Sequence, residues 1–299
     1  MESYEKIKLE PLSDSVFSYI FADKDLTVSM QELIDSVLTD AGDPLIGKVK
    51  SVQAQYSVQK RMVSTHGGRL DARVEAADGT LFDIEVQIYL EPSMNDRSWF
   101  YGSALMSEEF REGQPYHELP RVRVINLLDF VLREEHPDLL QPIGLLYRKK
   151  PATATDAFRI YNIELPKFRD TNPTLESVKD DPLLRWLYLL DVGYKNDHEL
   201  EVLSNMTEGM RAFAKRYKVS LNDPDLRRMY DYEMSAKREQ ASRDYNSEMR
   251  GEKRGEARAY EKVVRSALSK NLPQDVIYAL VDAPREEVDA IIAKIRAEN

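Results

Sequence analysis

The stretch RLDARVEAADGTLFDIEVQIY, residues 69–89, decides how the rest of the chain is read. Two runs of alternating polar and apolar residues flank an Asp78–Gly79 turn signal, the pattern of a β-hairpin. Loop length then fixes which side chains share a face. A two-residue loop, Asp78–Gly79, pairs Ala77 with Thr80 and sets Asp71 opposite Val86. Each face then mixes charged and apolar groups. A three-residue loop, Ala77–Asp78–Gly79, with Gly79 in the left-handed conformation, pairs Ala76 with Thr80 instead. One face now carries Leu70, Ala72, Val74, Phe82, Ile84 and Val86. The other carries Arg69, Asp71, Arg73, Glu75, Asp83, Glu85 and Gln87, with Leu81 its one apolar member. Only the second register separates the faces, so it is the one expected.

That register has a chemical consequence. Asp71 stands opposite Glu85, with Cβ atoms about 5 Å apart. Gln87 faces Arg69, and Arg73 faces Asp83 as a cross-strand ion pair. Facing carboxylates destabilise a sheet, and a divalent cation relieves the repulsion. Two carboxylates with positions left for water and phosphate suit Mg²⁺ or Mn²⁺. Such an ion lowers the pKa of bound water and stabilises a pentavalent phosphate. The other reading of the same pattern is an amphipathic hairpin whose polar face is simply wet.

Working outward, Ser13 is a helix N-cap for residues 13–22, where Val16, Phe17, Ile20 and Phe21 form a buried stripe. A second helix spans Asp25 to Leu38 and breaks at Ala41–Gly42–Asp43–Pro44. Val49–Gln59 leans to strand. Asp96–Glu109 reads as a helix ended by Gly113. Arg121–Val131 is an almost continuously apolar run, as in a central buried strand. Ile143–Tyr147 and Phe158–Leu165 are further strands. From Leu175 the period is helical, with a strongly apolar helix around Leu183–Leu190 and an amphipathic segment over 198–218. Residues 230–260 are charge-laced, as in a solvated spacer helix. Ala267–Ile295 holds two short helices around Asp282–Ala283–Pro284. They read as a helix-turn-helix or, since no basic recognition helix stands out, as a dimerising or capping hairpin. The expected organisation is a core over 1–170, a helical extension over 171–229, and a charged helix with a helical hairpin over 230–299.

Composition narrows the chemistry. The 299 residues include no cysteine and four histidines, His66, His117, His136 and His198. Disulfides, zinc-thiolate sites and cysteine nucleophiles are excluded, and no HxH or HxxxH spacing supports a histidine metal site. The absence of thiols fits a reducing cytoplasm. No apolar run approaches a bilayer span, and the polar, acidic opening residues do not read as a secretory signal. A formal charge of −10 argues against tight, non-specific nucleic-acid binding, although a catalytic cation can bring positive charge to an acidic site.

The hairpin resembles the core of the PD-(D/E)xK nuclease superfamily, an Asp followed on the next strand by Glu or Asp, any residue, and Lys. Here it reads Asp71 … Glu85–Val86–Gln87. Within that superfamily the chain resembles the recombination-promoting nuclease group, also described as YhgA-like or transposase-like. Asp14–Ser15–Val16–Phe17 … Ile20–Phe21 is similar to the group's opening helix. Arg97 … Phe100–Tyr101 … Gly113 … Tyr116, the strand ending Leu128–Asp129–Phe130, and Ile163–Glu164–Leu165–Pro166–Lys167–Phe168 follow in order. The resemblance implies an α/β fold, a restriction-endonuclease-like mixed sheet flanked by helices, with an α-helical C-terminal region. It implies a DNA endonuclease using Mg²⁺ or Mn²⁺, with Asp71 and Glu85 as metal ligands, the Val86 carbonyl as a third, and Gln87 orienting water or phosphate. Asp14 adds an acidic group or caps its helix. Arg97, Tyr101 and Lys167 contact the phosphate backbone or serve in packing. A homo-oligomer, such as a dimer through the C-terminal helices, fits the tail. Two positions depart from the pattern. Gln87 stands where the superfamily has Lys and supplies neither charge nor proton. Ser18 stands where the opening helix usually has Lys. These departures keep open a second implication, a nuclease fold that has lost catalysis and acts as a binding or regulatory module.

Overall fold

The hairpin forms in the register that separates its faces. In the computed structural model, which describes residues 8–21, 27–57, 69–149 and 152–297, β2 (Arg69–Ala76) and β3 (Leu81–Gln87) pair antiparallel through Ala72–Ile84, Arg73–Asp83, Val74–Phe82 and Glu75–Leu81. The Ala76 amide donates to the Thr80 carbonyl at 2.9 Å and the Gly79 amide to the Ala76 carbonyl at 3.1 Å. Gly79 has φ +82°, a conformation that side chains with a Cβ rarely adopt.

The hairpin sits within a six-stranded mixed sheet ordered β1-β2-β3-β4-β6-β5. β1 (Val49–Ser57) pairs antiparallel with β2. β4 (Val122–Leu128) lies parallel to both β3 and β6 (Phe158–Glu164), and β5 (Leu140–Gly144) closes the edge antiparallel to β6. Every β4 residue is buried, as its apolar run requires of a strand flanked on both sides.

Helices flank this sheet. α1 (Asp14–Phe21) and α2 (Thr27–Asp40) pack on β1, and α1 also reaches β2. α3 (Met94–Glu109) connects β3 to β4 and packs on β4 and β6. Its Leu105 joins Leu81, Val122, Val124, Phe158 and Ile160 in one buried cluster. Gly102 permits this close approach, because a Cβ there would lie 2.3 Å from the Phe158 ring.

After β6 the chain is helical. α4 (Leu165–Asp170) begins where the sequence pattern suggested a strand end. α5 (Leu175–Val178) carries a capping box, and α6 (Pro182–Asp191) buries Leu183, Trp186, Leu187, Leu189 and Leu190. The segment read as one amphipathic stretch over 198–218 is two helices, α7 (Asp197–Ser204) and α8 (Glu208–Ser220), because Thr207 caps the second through the Met210 amide. Then α9 runs over Pro224–Ser269.

The first compact unit is 1–233 and the second 234–299. In the second, the end of α9 joins α10 (Gln274–Leu280) and α11 (Arg285–Ala297) around Val264, Ala267, Ile277, Val288, Ile292 and Ile295. No helix among the described residues is long and apolar enough to cross a membrane.

Two sequence expectations need correction here. Ser13 does not cap α1 with its side chain; its hydroxyl donates to the Glu10 carbonyl. The Glu233 carboxylate of α9 accepts from the Asp14 and Ser15 amides at 2.9 and 3.0 Å instead. A longer-range acceptor thus serves the exposed amides of the first turn. The polar face of the hairpin is not wet, since Arg73, Asp83 and Glu85 are buried. The expected continuations at Ala22, Asp25, Leu26, Val58 and Gln59 lie outside the described residues, as does the Gln87–Arg69 side-chain pairing.

Candidate active site

Strand alternation puts Leu81, Asp83, Glu85 and Gln87 on the face where Leu81 meets α3. The parallel register then builds rows across the sheet: Asp83–Val124–Ile160, Glu85–Asn126–Asn162 and Gln87–Leu128–Glu164. Apolar residues fill the start of these strands, and polar ones collect toward their C-terminal ends.

One step beyond the last paired residues Ala72 and Ile84, Asp71 comes opposite Glu85. The Val86 amide donates to Asp71 Oδ2 at 2.8 Å, which ties the carboxylate across the hairpin. Asp83 is 0% exposed and Glu85 4%. Both Asp83 oxygens and Glu85 Oε1 lack a hydrogen-bond partner among the described residues. Arg73 does not supply the ion pair expected for Asp83. Its guanidinium instead pairs with Glu109 at 2.6 Å, at the end of α3.

Burial that outweighs the nearby compensating groups favours the neutral acids. Burial pushes Asp71 up to about 6, and the charges of Asp14 and Glu233 add to it, against the Val86 amide and Arg97. Burial and then Asp71 push Asp83 up to about 8. Burial, then Asp83 and Asp71, hold Glu85 well above the usual carboxylate range.

The positive charge comes from α3. Arg97 reaches Glu85 Oε2 at 3.3 Å and Gln87 Oε1 at 3.2 Å. Its guanidinium lies 5.5 Å from the centre of the half-buried Tyr101 ring. The Gln87 amide nitrogen donates to the Tyr89 carbonyl at 3.2 Å. Asp14 opens α1, and its charge is felt at Asp71. Lys167 is held elsewhere, by Glu164 at 2.7 Å and by the His136 carbonyl.

A buried amide chain anchors α3 beside these acids. Asn126 Nδ2 donates to Ser98 Oγ at 2.9 Å and to Asn162 Oδ1 at 2.7 Å, and Asn162 Nδ2 donates to Asn95 Oδ1 at 2.8 Å. The sequence reading missed this chain, Asp83 as a member of the acidic cluster, and Glu233. A signal existed for the first: Asn126 and Asn162 each interrupt an otherwise apolar strand core.

Among the described residues no group of three or more His, Asp or Glu side chains is arranged to hold a metal ion. The expected donor set is smaller, Asp71, Glu85 and the Val86 carbonyl, with the other positions left to water and phosphate. A buried carboxylate oxygen without a partner fits a cation, because unpaired buried charge is costly.

The mixed sheet with flanking helices and a helical C-terminal region defines a PD-(D/E)xK-type α/β fold. The family model described as PD-(D/E)XK nuclease family transposase matches residues 11–252. The chain belongs to that family, and its fold is of the nuclease type. No curated protein and no solved structure gives a significant match to the chain.

Proposed function

We propose that this protein is a metal-dependent DNA endonuclease that hydrolyses phosphodiester bonds with water and forms no covalent intermediate. The observation that carries this reading is half-buried Asp71 facing buried Glu85, with Glu85 Oε1 unpartnered among the described residues and Arg97 on Glu85 Oε2. Asp71, Glu85 and the Val86 carbonyl are the residues that would hold Mg²⁺ or Mn²⁺. The ion supplies a lowered pKa for bound water and positive charge beside the phosphate. Gln87 orients water or phosphate through its amide, whose position is set by Arg97 and the Tyr89 carbonyl. Arg97 brings the positive charge that Gln87 lacks, with Tyr101 beside its guanidinium. Asp14 adds negative charge next to Asp71.

The test is plasmid nicking with Mg²⁺ or Mn²⁺, wild type against Glu85→Ala and Asp71→Ala. Both variants are expected to lose cleavage while keeping the circular-dichroism spectrum of the parent. Wild-type nicking by the double variant would overturn the proposal. A second reading, a nuclease fold acting as a binding or regulatory module, is favoured by Gln87, because both ends of its amide are already engaged. Calorimetry with Mn²⁺ separates the two, since a degenerate site binds no ion.

A further inference from the structure

Against β1, the strand that pairs with the Asp71 strand, the first unit contains a cavity of about 320 Å³ lined from α1, β1 and the start of α9. We propose that it receives one nucleobase turned out of the strand whose phosphate lies at Asp71 and Glu85. This inference rests on the nuclease reading for the position of the phosphate.

Three observations carry it. The first is position. Gln55 lines the cavity, and its neighbours Ala54 and Tyr56 pair with Ala72 and Leu70. Gln55 is therefore level with Asp71 on the adjacent strand, a separation of about 4.8 Å. The cavity wall and the Asp71 row are therefore on neighbouring strands, one nucleotide unit being long enough to reach from one to the other.

The second is chemistry. Tyr19, whose ring carries the Arg216 guanidinium 4.1 Å from its centre on one face, lines the cavity with Leu226 and Met229 and gives it an aromatic and apolar wall. Ser18 also lines it; it is 7% exposed, and its hydroxyl has no hydrogen-bond partner among the described residues. Asp223 and Asp225 also line it. Negative charge there disfavours a phosphate. An apolar wall with one unsatisfied hydroxyl suits a flat, uncharged heterocycle with hydrogen-bonding edges. Enzymes that extrude bases read them by this combination of stacking and edge contacts.

The third is backbone. Gln55 adopts φ +53° within a strand, which is uncommon for a residue with a Cβ and costs energy that the surroundings must maintain. The twist occurs at the one β1 residue shared between the cavity wall and the Asp71 row.

The experiment uses the full chain and a set of single-stranded dodecamers, each with 2-aminopurine at one position, in Ca²⁺. A base leaving its stack brightens. Wild type is expected to give a several-fold rise at one position. Ala54→Ile, which adds bulk to the cavity wall and suits a strand, is expected to remove that rise. Ser18→Ala is expected to keep the rise and, in competition by unlabelled dodecamers that vary that position, to flatten the preference among the four natural bases. Hydrolysis of bis(p-nitrophenyl) phosphate in Mn²⁺, which has no base to place, is expected to be unchanged in both variants. An equal rise in wild type and Ala54→Ile, or no rise at any position in wild type, overturns the proposal. Loss of the rise in Ala54→Ile, with no hydrolysis of the small ester by wild type, would support the base site and sink the nuclease reading.

Discussion

Asp83 is the residue whose surroundings depart furthest from what its sequence position suggests. It lies within a β-strand, fully buried, and its carboxyl meets the acidic Glu85 side chain rather than a basic partner. Its carboxyl is pushed up to about 8 from an ordinary 3.8. In the metal-free protein, the folded state therefore holds a proton that the unfolded chain has released. Stability from this group is fully present below about 3.8 and declines as pH rises toward about 8. Asp71, pushed up to about 6, acts in the same direction. Urea midpoints of the EDTA-treated protein are expected to fall between pH 5 and pH 8. Asp83→Asn, which keeps the shape and removes the titration, is expected to flatten that fall. Equal slopes in the two proteins would show that Asp83 is ionised throughout. Alternation placed Asp83 on the correct face, and the pairing register with Arg73 was legible from the turn. What covers that face was not legible, because α3 and its Glu109 arrive from elsewhere in the chain and take Arg73 away.

At the scale of elements, α3 determines the site as much as the hairpin does. Its Arg97 supplies the nearby cation, while Ser98 and Asn95 anchor it to Asn126 and Asn162. Gly102 sets how close it can lie to the sheet, with a Cβ meeting Phe158 at 2.3 Å and Val124 at 3.1 Å. Gly102→Ala favours the helix locally by about 1 kcal/mol, but it overfills a packed contact, which costs about 1–3 kcal/mol. The contact wins because Phe158 is buried and packs edge-on against Trp99 at 4.5 Å. The expected outcome is a lower thermal midpoint together with reduced plasmid nicking, since lifting α3 moves Arg97 from Glu85. A raised midpoint with full nicking would show that Phe158 yields. The sequence made the existence of this helix legible through its boundaries and the Gly113 turn. The closeness of its approach was hidden, because Gly102 acquires meaning only from residues some 20 and 55 positions away.

For the whole molecule, charge is distributed unevenly between the two units. Residues 1–233 carry 29 basic and 40 acidic side chains, whereas residues 234–299 carry 13 and 12. Within 237–270, ten basic residues stand against six acidic ones. A surface dominated by carboxylates repels DNA, so on the proposed nuclease reading the attraction would come from a cation at the site and from the less acidic unit. Arg250, Lys253 and Arg254 are exposed on α9, where reversing their charge disturbs no core. The triple variant Arg250→Glu, Lys253→Glu, Arg254→Glu is expected to weaken binding of a DNA duplex by tenfold or more at low salt. It is also expected to make the dependence of log affinity on log salt shallower, because fewer counterions are released. Hydrolysis of bis(p-nitrophenyl) phosphate is expected to stay at the wild-type rate, since that ester needs only the acidic site. If duplex affinity and its salt slope are both unchanged, α9 is a spacer and DNA is held by the first unit despite its charge. If the small ester is also hydrolysed more slowly, the reversed charges act on Asp71 and Glu85 themselves, and the separation of DNA attraction from phosphodiester chemistry fails.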